Sequence, residues 1–185
     1  MKKLILSLMA IAMIVGFSNK VEAQVTLTGN NAGAELVQVL TIVNTTPLHF
    51  GTIGITSGTA GNVVMTTGGV RTADAATTTL VNTGTQRTVA LFTLSGTPSD
   101  NYTIALPSTI ALITDGGATA DKQITVGTMT VKEGAQAEEV WAASIQGTLS
   151  EAGVATFLVG GTIPFASDQV IGVYAGTYDV TVDYE

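Results

Sequence analysis

The chain has 185 residues, 7 basic against 14 acidic ones, and a formal net charge of −7. It has one histidine, no cysteine and only 11% charged residues. These totals exclude a disulfide framework and thiolate metal sites, and they make nucleic acid and anionic membrane surfaces poor partners.

Lys2 and Lys3 precede an apolar run from Leu4 to Phe17, which is too short to cross a bilayer comfortably, and Val21-Glu-Ala23 has the small-x-small form of a cleavage site. A signal peptide over residues 1–23 is therefore expected. Its removal leaves four basic against thirteen acidic residues, a net charge of −9. The mature chain is expected to be exported to the periplasm, cell surface or extracellular space, with no membrane span. Residues 24–33 read as an extension and 34–185 as one domain, long enough for a core of its own.

Taken in order, Gln24–Thr28 alternates as a short strand and residues 29–33 form a turn or linker. Residues 36–43 are nearly all apolar, which predicts a strand covered on both faces. Residues 61–67 read as a strand, with weaker ones at 70–76 and 77–81. Residues 87–95 and 101–106 alternate cleanly, the latter with Tyr102, Ile104 and Leu106 on one face. Residues 109–114 resume after Pro107. The apolar phase slips at Gly127, between Val126 and Met129, which predicts a β-bulge. Residues 133–144 allow one helical turn before a strand from about Val140. Glu151-Ala-Gly153 reads as a hairpin turn into Val154–Val159. Gly160-Gly161 is expected to end that strand, and Pro164 marks 162–165 as an edge or strand end. From Tyr178 the alternation is strict, with Tyr178, Val180, Val182 and Tyr184 on one face. Many short strands without helices predict an all-β sandwich.

Gly176-Thr-Tyr178 leads into the last strand in the manner of a tyrosine corner, an immunoglobulin-like device in which the hydroxyl bonds back to the backbone. Chemistry-bearing motifs are sparse. His49 sits between Leu48 and Phe50 with no nucleophile elbow, and reads as a strand-edge histidine. Asp115 and Asp121 bracket a loop better explained as a turn than as a calcium site. No phosphate loop or dinucleotide fingerprint is present, so no cofactor is expected. Trp141 is the candidate ligand contact if the protein is a carbohydrate-binding module.

Leu48-His-Phe-Gly-Thr-Ile53, Phe92-Thr-Leu-Ser-Gly96, Asn101-Tyr-Thr-Ile-Ala-Leu-Pro107 and Val159-Gly-Gly-Thr-Ile163 join a C-terminal motif spanning Gln169, Gly172, Tyr174, Gly176, Tyr178 and Tyr184. Together they resemble the domain of unknown function 4402 family of exported bacterial proteins, which is itself similar to spore coat protein U domains and, more distantly, to chaperone–usher pilins. The resemblance implies an immunoglobulin-like, pilin-like sandwich and brings no catalytic residues. The expected function is a non-enzymatic structural or adhesive surface module, with cell-surface or matrix components or other pilin-like subunits as partners. The motif residues Gly172, Tyr174, Gly176, Tyr178 and Tyr184 are expected to be structural. The chain is also expected to complete its own sandwich as a monomer, with strand 36–43 beside the last strand.

Overall fold

The computed structural model describes residue 29 and residues 31–74 and 78–185. The expected signal peptide and the strand at 24–28 lie outside the described residues. Within the compact unit Leu36–Glu185, strands β1 to β13 carry the architecture. β12 (Val154–Phe165) is the spine of the larger sheet. Its first half, Val154–Val159, pairs antiparallel with β6 (Ala90–Ser95), and its second half pairs with β3 (Gly61–Met65). β9 (Gln123–Glu133) lies along the other edge of β12. β1 (Thr41–Thr46) extends the sheet beyond β6, and β4 (Arg71–Ala73) beyond β3. β8 (Ile110–Ile113) and β10 (Glu139–Val140) pair with β9. A second sheet has the order β11 (Ile145–Thr148), β7 (Asn101–Ala105), β13 (Thr181–Tyr184). β2 (Ile53–Ile55) and β5 (Thr78–Leu80) form a small separate pair. Helix is confined, among the described residues, to two single 3-10 turns at Asp115–Gly117 and Ala120–Lys122.

The alternation read from the sequence becomes one shared core. β6 contributes Ala90, Phe92 and Leu94, β12 contributes Phe157 and Val159, and β7 contributes Tyr102 and Ile104, all buried in a single cluster. Phe92 and Phe157 stack with ring centres 4.8 Å apart. Each large apolar side chain removed from water in this way contributes about 1.5–3 kcal/mol before ordering costs. The fold is therefore the all-β sandwich expected.

The bulge is also found. Gly160 and Thr162 of β12 oppose Thr130 and Gly127 of β9, so β9 carries one extra residue. Thr128 takes it up at φ 41°, and the slip keeps both Val126 and Met129 buried. A β-branched residue rarely adopts that conformation; here the restored apolar face outweighs the local cost.

Four expectations are corrected. Residues 36–40 form no strand, and Leu36 is 95% exposed. The apolar run contributes only Leu40 and Ile42 to the core, because β1 is an edge strand covered on one side. Gly160-Gly161 does not end a strand; β12 passes straight through. A Cβ on Gly160 would collide with the Met65 carbonyl oxygen, so the glycine permits close approach of β3. The turn at Glu151–Gly153 exists, but it carries the chain from β11 in the smaller sheet to β12 in the larger one, so it joins layers and not hairpin partners. The strand expected from about Val140 is not continuous: β10 ends at Val140, residues 141–144 form no strand, and β11 starts at Ile145 in the other sheet.

Candidate functional site

The C-terminal motif is a packing device laid across β8. Ala175 bridges Ile113 through two backbone hydrogen bonds of 2.9 and 3.0 Å. On either side of this bridge a side chain is impossible without displacement. A Cβ on Gly172 would strike Thr114 Oγ1, and one on Gly176 would strike the Ala111 carbonyl oxygen. The two glycines thus let residues 172–176 lie against β8 backbone to backbone.

The corner hydrogen bond belongs to Tyr174, not to Tyr178 as the sequence suggests. The Tyr174 hydroxyl donates to Val170 O at 2.7 Å, lies 3.0 Å from Asp121 O, and accepts from Gln169 Nε2 at 2.8 Å. Both tyrosines follow a Gly-x step, so spacing alone does not choose between them. Tyr178 turns inward instead and meets Phe92 edge-on at 6.3 Å. Its hydroxyl is buried with no hydrogen-bond partner, and burial pushes its pKa up to about 12. Tyr184 closes the other end of the strand. Its hydroxyl accepts from Thr97 N at 2.6 Å and donates to Gln38 O at 2.8 Å.

The last strand is not paired with residues 36–43. Among the described residues, β13 pairs only with β7, and β1 only with β6. Outside these ladders Gln38 meets Tyr184, and Leu48–Ile55 face residues 169–178 across a separate cleft of about 550 Å³. The apolar side chains on both limbs are only half-buried: Leu40, Ile42 and Leu48 on one, Tyr178, Val180, Val182 and Tyr184 on the other. In β7, whose two edges are both paired, Tyr102 and Ile104 are completely buried. Among the described residues, β1 and β13 each have one edge with no partner strand. Ile171 and Val173, 77% and 85% exposed, stand at the cleft's lip.

The family model described as domain of unknown function (DUF4402) matches residues 40–184. The chain belongs to the DUF4402 family. No curated protein and no solved structure matched it.

The remaining candidates of this DUF4402 domain fall away from the groove or serve the fold. Trp141 is half-buried against the core, and its backbone N–H donates to Met129 O at 2.7 Å. It is not a free aromatic platform. The Asp115 carboxylate pairs with Lys122 Nζ at 2.6 Å, and among the described residues no three histidine or carboxylate groups converge. His49 bridges Thr88 in the backbone, as a strand-edge residue does, and its Nδ1 accepts from Gly51 N at 2.8 Å. Arg71 was not visible as a special residue in the sequence. Its buried guanidinium donates to Phe50 O (2.6 Å), Thr52 O (3.0 Å) and Val81 O (2.8 Å), tying down the loop that forms one wall of the cleft. Burial, reinforced by the nearby Arg87 charge, lowers its pKa. The available signal was its rarity: one of only 7 basic residues in an acidic chain.

Proposed function

We propose that this DUF4402 protein is an exported, non-enzymatic structural or adhesive module of pilin-like type, which works by joining other chains through the open face of its sandwich. The observation that carries the reading is that, among the described residues, β1 and β13 each have one edge without a partner strand, beside half-buried apolar side chains. An edge of this kind is an aggregation hazard unless a partner covers it, and β-augmentation is the common way to cover it. The acidic surface suits a protein that stays clear of nucleic acid and anionic lipid.

The test is fractionation of producing cells, with mass spectrometry of the product. The expected product is the chain beginning at Gln24, recovered with surface or matrix material in particles larger than a monomer. Intact Met1 in the cytosol would overturn export. A secreted monomer bound to no surface fraction would overturn the structural and adhesive role.

A further inference from the structure

We infer that the cleft between Leu48–Ile55 and residues 169–178 binds an uncharged lipophilic small molecule with one hydrogen-bond acceptor, which accepts from His49 Nε2–H. This binding activity goes beyond the structural-module reading and does not rest on it. The cleft holds about 550 Å³, within the roughly 300–1,000 Å³ usual for small-molecule sites. Its floor is apolar and comes from three strands: Ile110 of β8, Val126 of β9, and Ile163 and Phe165 of β12. All four are buried in the core cluster. No charged side chain lines the cleft among the described residues. A charged group placed there would lose its water without gaining a counter-ion, which favours a neutral ligand. Ile171 and Val173, largely exposed at the lip, continue the apolar surface outward.

The polar groups narrow the ligand further. Gln169 and Tyr174 line the cleft but are committed elsewhere. Gln169 Nε2 donates to Asp121 O at 2.6 Å and to the Tyr174 hydroxyl, while its Oε1 accepts from Ala166 N. The Tyr174 hydroxyl serves Val170 O. His49 also lines the cleft, and its Nδ1 accepts from Gly51 N. The neutral ring therefore carries its proton on Nε2. That N–H has no partner among the described residues, and it is the donor left for a ligand. The backbone argues against a strand added at this place, because its groups are taken. His49 bonds Thr88 through both N–H and C=O, and Ala175 bonds Ile113 in the same way. Phe50 O and Thr52 O accept from Arg71, and Val170 N donates to Asp121 O. The same bonds hold both walls in place before anything binds. A preformed site of this kind costs a ligand little in ordering.

Nile red, an uncharged dye with a carbonyl acceptor, is the probe, titrated into the chain 24–185. One saturable site is expected, with blue-shifted emission and a Kd of about 10 μM or tighter. 1-Decanol should displace the dye roughly tenfold more effectively than decyltrimethylammonium, whose charge finds no counter-ion in the cleft. Ile124→Trp fills the half-buried part of the lining and should weaken dye binding roughly tenfold or more. Ile171→Asp with Val173→Asp changes only exposed side chains, so it reads the same site in a folded protein and should weaken binding roughly threefold or more. Leu36→Asp with Val39→Asp, on the exposed apolar run outside the cleft, should leave binding unchanged. The chain has one histidine, so its ring nitrogen signals are unambiguous. The Nε2 resonance should shift when 1-decanol is added. The inference is overturned if the dye does not saturate at one site, or if binding follows Leu36 and Val39 in place of Ile171 and Val173. It is equally overturned if the ammonium competes as well as the alcohol, or if the His49 resonance stays in place while 1-decanol displaces the dye.

Discussion

Replacing Tyr174 and Tyr178 separately by Phe should move stability in different directions, although the two residues look alike in sequence. Tyr174→Phe removes a hydroxyl that serves Val170 O, Asp121 O and Gln169 Nε2. Each typical hydrogen bond contributes about 0.5–1.5 kcal/mol net, and partners left buried and unmade cost more. Part of this corner is open to water, so the expected loss is about 1–2 kcal/mol. For a protein of this size that lowers Tm by roughly 2–8 °C. Tyr178→Phe removes a buried hydroxyl that has no partner. An unpaired buried hydroxyl carries about 1–3 kcal/mol of desolvation cost, offset by the contacts its oxygen makes. The substitution is therefore expected to be neutral or stabilising by up to about 1 kcal/mol. Urea unfolding, followed in parallel by Trp141 fluorescence and far-UV circular dichroism, measures both against the parent chain. Equal m-values would show that the denatured state is unchanged. If Tyr178→Phe costs as much as Tyr174→Phe, the corner has been assigned to the wrong tyrosine.

Three further outcomes follow from the same contacts. Tyr178 holds its proton to about pH 12, and burial, then the Glu133 hydrogen bond and charge, raise Tyr102 as well. The folded state thus binds more protons than the unfolded one above about pH 10, where a free tyrosine ionises. These two tyrosines contribute no slope below that pH, and stability should fall as pH rises through 10 to 12, measured as the urea midpoint, with Tyr178→Phe removing part of the fall. Gly176→Ala should cost about 1–3 kcal/mol or more by forcing a Cβ onto the Ala111 carbonyl; an unchanged Tm would refute the close approach. Trp141→Ala should destabilise by about 1–3 kcal/mol as a half-buried packing residue. A glycan array on the parent chain should show no binding, and Trp141-dependent binding with an intact fold would establish the carbohydrate-binding alternative.

The strands and the bulge were legible because their signals are local. Alternation in β6 and β7 names the buried face directly, and a slip of one residue at Gly127 has one simple meaning on a pleated strand. What was not legible concerns neighbours. The run at 36–43 is apolar enough for a strand buried on both faces, yet hydrophobicity does not say whether anything covers it. Here the chain leaves Leu36, Val37, Val39 and Val43 exposed. Gly160-Gly161 weakens a strand in isolation, but beside the Met65 carbonyl it is what the long β12 requires. The same ambiguity hid the corner, since two Gly-x-Tyr steps four residues apart are equivalent until Ile113 is seen to bridge Ala175.

That bridge also explains why the groove exists. By fixing Gly172–Gly176 against β8, it commits the chain to approach β7 from one side, and the ladder of β13 then runs only toward Tyr102 and Ile104. β1 is committed equally firmly to β6, from Thr41 opposite Ser95 to Thr46 opposite Leu91. Neither strand can turn to the other without giving up a formed ladder. The hydroxyl of Tyr184 spans the gap at one end by a single side-chain link to Gln38. A link of that kind sets the width of the opening without filling it. On the reading proposed above, Val180, Val182 and Ile42 are covered by a strand that also arrives with its own backbone groups unpaired, to serve the free edges beside them. A folded partner has such groups only at a free sheet edge. On the reading proposed above, extended segments and free sheet edges are the class of partner that suits this sandwich.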